Sequence, residues 1–225
     1  MADGAGMTEH AAIPEGVDEQ SSALLRRAYA VVTTEDGQQL YQDWAATYDA
    51  TMLEGLGYLT PRLVAEALAQ HLKALDAPVL DVGCGTGLVG AEAAELGYTT
   101  LDGLDLSVAM MTVAAQRGVY RHLLEGDLTQ PLPMASRAYA AVVCAGTFTS
   151  GHVDASCLDE LVRILRPGGW LVCTVHHAVW EPLGFAAGFI RLVDAGALAP
   201  VMEADIGYYV NSSNDGRLLV YRVAD

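Results

Sequence analysis

The chain has 225 residues, 52% of them hydrophobic, and a formal charge of −16 with Lys73 as its single lysine. That length suits one α/β domain with a sizeable core and a short N-terminal extension, and no apolar run approaches the roughly 20 residues of a membrane span. So acidic a chain lacks the cationic groups from which nucleic-acid and acidic-membrane binding draw their affinity, leaving a neutral or cationic small molecule as the compatible partner. The first residues lack the basic and apolar stretches of a secretion signal. Four cysteines without a C-x-x-C pair fit buried thiols in a reducing compartment, so a cytoplasmic protein is expected.

Residues 1–36 read as an N-terminal extension, partly disordered up to about Ser21 and helical over Ser22–Val32. Residues 37–225 read as the main domain. Thr34-Glu-Asp is a helix-start signal, and Leu40, Tyr41, Trp44, Ala45 and Tyr48 recur after it at helical spacing, predicting a helix with an aromatic face. Thr60-Pro61 opens another helix striped by Leu63, Val64, Ala67, Leu68 and Leu72. From Pro78 the alternation becomes regular. Strands are predicted near 79–82, 100–104, 120–125, 138–144 and 170–175, with helices near 88–96, 108–117 and 158–165. Apolar strands separated by helices imply a parallel sheet covered on both faces. Beyond Trp180 a helix through Phe189 to Ala195 is expected. Strands over Ile206–Val210 and Arg217–Val223 would follow, joined by the turn-forming run Asn211-Ser-Ser-Asn-Asp-Gly216 as an antiparallel hairpin.

The most informative stretch is Pro78-Val-Leu-Asp-Val-Gly-Cys-Gly-Thr-Gly-Leu-Val-Gly90. A buried strand runs into glycines at alternate positions, then into a helix, leaving bare backbone where a helix N-terminus meets a ligand. Gly85-Thr-Gly87-Leu-Val-Gly90 satisfies the dinucleotide pattern G-x-G-x-x-G, so a nicotinamide-dependent oxidoreductase is one reading. Close packing of a helix on a strand is the plainest alternative. Parallel sheets bind ligands at the carboxyl ends of their strands, and those ends are informative here. The first carries Asp81. The second ends in Leu104-Asp105-Leu106-Ser107, placing a carboxylate where it can accept from two ribose hydroxyls. The third leads to Glu125-Gly-Asp127-Leu128, an acid beside an apolar residue, suited to an adenine edge and face. The fourth ends at Cys144-Ala-Gly146-Thr147, small residues that leave room. Asp105 could equally cap the following helix, and Asp127 could be a turn residue; their joint placement favours the binding reading. A dinucleotide enzyme gives Asp127 no work.

VLDVGCGTGLVG, LDGLDLS, EGDLTQPLP, AYAAVVCAGTF and ELVRILRPGGWLVCTV resemble the successive motifs of class I S-adenosylmethionine (SAM) methyltransferases over about residues 78–175. YQDWAATYD, GLGYLTPRLV, GVYRHLLEGDL and TSGHV are similar more narrowly to the Williams–Beuren-region methyltransferase-like proteins. The resemblance implies a Rossmann-like class I methyltransferase fold, with a mostly parallel seven-stranded sheet and a C-terminal antiparallel hairpin. SAM would be the cofactor and S-adenosylhomocysteine its product. It also implies that Gly83, Cys84, Gly85 and Gly87 approach the methionyl part, their N–H groups facing its carboxylate, with Asp81 tied to its amino group. Asp105 would hold the ribose with Leu106 beside adenine, Asp127 and Leu128 would take the adenine edge and face, and Cys144 and Ala145 would offer carbonyls to the amine. Tyr48 would close over the sulfonium, with Trp44 either joining it or serving as helix packing.

Methyl transfer from a sulfonium is an in-line displacement that needs alignment and dryness more than a metal, and the histidines show no zinc spacing. Where the acceptor must lose a proton, His152 in Thr149-Ser-Gly-His-Val153 is the first candidate base, followed by His176 and His177. These histidines could instead only shape the pocket. A SAM-binding protein without catalysis is the rival of another class. The acceptor itself is not legible, and no Asn/Asp-Pro-Pro-aromatic signature follows the fourth strand.

Overall fold

Apolar strands alternating with helices bury both sheet faces only if the strands run parallel and the helices cover them. The computed structural model, which describes residues 17–31, 34–151 and 153–225, has this arrangement. Strands β1 (Val79–Val82), β2 (Leu101–Asp105), β3 (Tyr120–Glu125), β4 (Tyr139–Phe148) and β5 (Leu165–His176) pair in parallel. β6 (Leu198–Ile206) and β7 (Gly216–Val223) complete a seven-stranded sheet in the order β3-β2-β1-β4-β5-β7-β6, with β7 antiparallel to both of its neighbours. The order reverses between β1 and β4, which opens a crevice at their carboxyl ends.

Helices α3 (Thr60–His71) and α4 (Leu88–Glu95) cover one face, where Val64, Leu68, Val89 and Ala93 pack with Val79, Val143 and Val172. On the other, α6 (Cys157–Ile164) and α8 (Phe185–Asp194) bring Leu158, Leu161 and Phe185 against Leu80, Val82 and Val142. Helix α5 (Val108–Gln116) follows β2, and α7 (His177–Trp180) is one turn after β5. A third cluster forms a cap. Leu25 and Ala28 of α1 (Glu19–Tyr29), Leu40 and Trp44 of α2 (Thr34–Trp44), and Met52 of a π-helical segment, Ala50–Gly55, pack with Tyr58, Tyr208 and Tyr209. The helix ahead of residue 36 therefore packs on the segment that follows it.

Three expectations change. The aromatic helix stops at Trp44, because the Thr47 N–H bonds to the Trp44 carbonyl in a turn; Tyr48 lies beyond that turn and is not on the helix. The penultimate strand is Leu198–Ile206, not Ile206–Val210. It is a sheet edge with mostly exposed side chains and carries Pro200, so it has no apolar alternation to betray it. The hairpin connection then spans 207–215, held where Asp215 accepts from the Tyr208 N–H at 2.6 Å. The C-terminal helix starts at Phe185, a turn earlier than the Phe189 expected.

Leu158 is wholly buried among the strands. Leu158→Ala is expected to cost about 2–5 kcal/mol, read as a lower urea midpoint with an unchanged slope.

Candidate cofactor site

Strand β1 delivers Asp81 and then the glycine turn to the crevice. Gly83 has φ +65°, and a Cβ there would lie 1.9 Å from Thr147 Oγ1, so only glycine fits beneath the end of β4. Gly85, with φ +53°, faces the opposite situation: nothing lies within 4 Å of where its Cβ would be. Its N–H donates to Asp105 Oδ2 at 2.8 Å, while the Ser107 N–H donates to Asp105 Oδ1 at 2.7 Å. The Cys84 N–H bonds to the Leu104 carbonyl and the Gly87 N–H to the Cys84 carbonyl. Three N–H groups expected to face a ligand carboxylate are therefore spent in holding the turn.

The cleft encloses about 900 Å³, part of it open solvent. Tyr48, Gly83, Gly85, Asp105, Leu106, Asp127, Leu128 and Ala145 all line it. Asp81, Cys84, Gly87 and Cys144 do not. Cys84 is buried with its sulfur toward Gly103, Gly87 seats the helix turn against Tyr120, and Cys144 lies in the core beside Cys173. Asp127 Oδ1 accepts from the Thr129 N–H and hydroxyl, both at 2.8 Å, so it is a turn residue as well as a cleft residue. Trp44 turns away from this cleft, its Nε1 donating to Thr51 Oγ1 at 3.3 Å. His152 lies outside the described residues; Gly151 and Val153 on either side line the cleft. His176 is buried at the foot of the cap, where Nδ1 accepts from the Ala178 N–H, and His177 contacts Asn214.

Two features carry no signal in the sequence. The pairing of β4 with β5 slips between Cys144 and Phe148, and this bulge pushes Ala145, Gly146 and Thr147 into the crevice. Asp49, last residue of the aromatic motif, accepts from the Thr86 hydroxyl at 2.5 Å and pairs with Arg117, whose Nε donates to the Thr86 carbonyl at 2.6 Å. This links the cap to the glycine turn.

The two buried carboxyls at this crevice, Asp81 and Asp105, shift upward. Burial pushes Asp81 up to about 7, against the Tyr120 hydroxyl that donates to its Oδ2 at 2.6 Å, and with the Asp105 charge adding to the rise. Asp81 Oδ1 is buried without a hydrogen-bond partner. Burial also raises Asp105, opposed by the Ser107 and Gly85 N–H groups. The Tyr48 phenol is raised well above its ordinary value by burial.

A sheet that reverses strand order over a glycine turn, with carboxylates ending β2 and following β3, defines a nucleoside-cofactor enzyme of the Rossmann-like class. A methyltransferase-domain family model matches residues 80–173. Human methyltransferase-like protein 27 is 37% identical over 195 residues, which are 84% of this chain and 77% of that protein. The demethylmenaquinone methyltransferase of Beutenbergia cavernae is 29% identical over 67% of this chain and 62% of its own length. In fold, the SAM-dependent methyltransferase of Mesorhizobium loti superposes with a TM-score of 0.54 at 17% identity, over 70% of this chain and 96% of that one. The chain belongs to the Williams–Beuren-region methyltransferase-like family of class I SAM-dependent methyltransferases. It is an enzyme with SAM as its cofactor, and the oxidoreductase and non-catalytic readings give way.

Folding lifts the Asp81 pKa from 3.8 to about 7, so the folded chain keeps a proton that the unfolded chain releases. Stability from the protonated form is full below about pH 4 and is lost as pH rises to about 7. Asp81→Asn should flatten that part of the stability profile and raise the melting temperature of the ligand-free protein at pH 8. An unchanged profile by calorimetry would count against the assignment.

Proposed function

We propose that this methyltransferase modifies a small molecule, neutral or cationic and not nucleic acid, next to a SAM held along the β1–β4 carboxyl edge. The observation that carries this reading is the charge of the cleft: Asp105 and Asp127 are the only charged residues among those described as lining it. A phosphate-bearing acceptor entering through this cleft would meet acids and, among the described residues, no cation.

The residues suit the cofactor. Each Asp105 oxygen accepts one backbone N–H and retains a lone pair for a ribose hydroxyl. Leu106, Met110 and Leu128 offer apolar surface to an adenine, with Asp127 at its edge. The open space over Gly85 admits the methionyl chain, with Gly83 and Ala145 alongside. The unpartnered Asp81 Oδ1 suits an ammonium, reached through water since Asp81 does not line the cleft. Cys84, Gly87 and Cys144 support these groups from behind. Tyr48 closes the methyl end, where an aromatic face beside a cation is worth roughly 0.5–2 kcal/mol.

When bound, SAM supplies an electrophilic methyl whose departure leaves a neutral thioether. The chain's part is to align, to exclude water beneath the cap, and to accept a proton. We assign the proton to His152, between two cleft-lining neighbours. The main domain over residues 37–225, with its motifs at 78–175, would carry this chemistry.

Asp105→Ala is expected to weaken SAM at least tenfold by calorimetry, since hydrogen bonds to a charged acceptor contribute about 1.5–3 kcal/mol; an unaltered constant removes Asp105 from the ribose. His152→Ala should slow turnover about 10²-fold with SAM affinity retained, and undiminished turnover would end its role as base. Consumption of SAM in a metabolite panel, set against transfer RNA and ribosomal RNA, tests the acceptor class; methylation of RNA alone would refute it.

A further inference from the structure

Beyond the cofactor cleft, and sharing Tyr41, Tyr48 and Gly146 with it, lies a second chamber of about 420 Å³, part of it open solvent. Its wall is unusual in composition. Tyr29, Trp44, Tyr58, Tyr208 and Tyr209 join the two shared tyrosines, with Leu25, Ala28 and Met52 as its aliphatic members. No charged side chain lines it among the described residues. His176 lies behind the wall, its ring 5.5 Å from Tyr29 and 5.4 Å from Tyr208.

Resting on the small-molecule reading above, we propose that this chamber holds the methyl acceptor, and that the acceptor is a neutral aromatic compound of one or two rings bearing a hydroxyl group. Three observations converge on that class.

The first is the aromatic wall. The Trp44 and Tyr48 rings stand edge to face at 4.8 Å, and Tyr58 and Tyr209 lie tilted at 5.8 Å, leaving ring surfaces to pack a flat guest. The space includes open solvent and is therefore an upper bound, which limits the guest to a ring or two.

The second is charge. A cation held here would find no carboxylate in the wall and would sit beside the sulfonium of the cofactor, so it would be both unpaired and repelled. An anion would find no basic partner. Burial lowers the pKa of His176, so the histidine behind the wall stays uncharged near neutral pH.

The third is an unmet hydrogen bond. Thr149 Oγ1 belongs to a chamber-lining residue and is buried without a partner. Such groups are costly unless a guest satisfies them, and a site built this way discriminates strongly for a guest that can. A hydroxyl both donates and accepts, so it can answer the Thr149 hydroxyl in either role.

The chemistry balances without a further reactant. An oxygen lone pair of the acceptor forms the bond to the methyl carbon. The carbon–sulfur bond breaks with its electron pair going to sulfur, and the phenolic proton leaves to a base or to water. The products are an aryl methyl ether, S-adenosylhomocysteine and one proton.

The test uses the full chain saturated with S-adenosylhomocysteine and titrated with 2-naphthol, naphthalene and benzylamine. Binding of 2-naphthol is expected, with benzylamine at least tenfold weaker. Thr149→Val should weaken 2-naphthol about fivefold or more without changing naphthalene, a split that a general loss of structure would not produce. Ala28→Phe, which fills the chamber from α1, should abolish both while thermal stabilisation by S-adenosylhomocysteine persists. Preference for benzylamine, or 2-naphthol binding untouched by Ala28→Phe, would overturn the proposal. Methylation of a saturated or cationic small molecule in place of aromatic alcohols would also overturn it and leave the small-molecule reading standing; methylation of RNA alone would overturn both.

Discussion

The Asp105 carboxylate joins three elements through two hydrogen bonds. It terminates β2, takes the Gly85 N–H from the turn after β1, and takes the Ser107 N–H at the start of α5. Bonds from N–H groups to an ionised acceptor are among the stronger ones a chain can make, and these two set the curvature of the turn. The bare backbone at Gly85 is thereby held open to the cleft. The group that shapes the turn also lines the cleft, so holding the turn does not remove it from the cavity. The same holds for Asp127, whose side chain orders its own turn and lines the cavity.

Around this frame the cap is fastened by a second carboxylate. Asp49 reaches from the end of the aromatic segment to Thr86 and Arg117, so the cap is tied to the glycine turn. Part of this pair is solvent-exposed, and such pairs add little to stability. What it contributes is geometry, because it places Tyr48 at the junction of the two cavities. The cap is otherwise held by burial of Leu25, Leu40, Trp44 and Met52 with Tyr208 and Tyr209. The far C-terminal connection thus walls the same chamber as the first described helix.

Much of this was legible in one dimension. The strand-to-glycine-to-helix run, and the acids near the ends of the next two strands, mark the edge of the cleft because parallel βα units put those positions together whatever the rest of the chain does. Eight of the twelve proposed cofactor residues line the cleft. The other four, Asp81, Cys84, Gly87 and Cys144, fall one layer behind, since a motif marks which residues build a turn but not which of their groups face out. Strand β6 was missed because an exposed edge strand lacks the two-residue alternation that burial imposes.

The sequence by itself therefore determined the α/β class, the parallel core and the glycine-and-carboxylate edge of the cleft, all of which follow from local periodicity and short-range glycine and carboxylate spacing. Only the tertiary structure decided the second chamber. Tyr29, Tyr48, Tyr58, Thr149 and Tyr208 come from separate segments, and the motifs that include Tyr48, Tyr58 and Thr149 do not show that their side chains meet. They form one chamber because α1, the cap, the β4 bulge and the loop after β6 converge on a single edge of the sheet, and that convergence depends on packing between segments that no local spacing encodes.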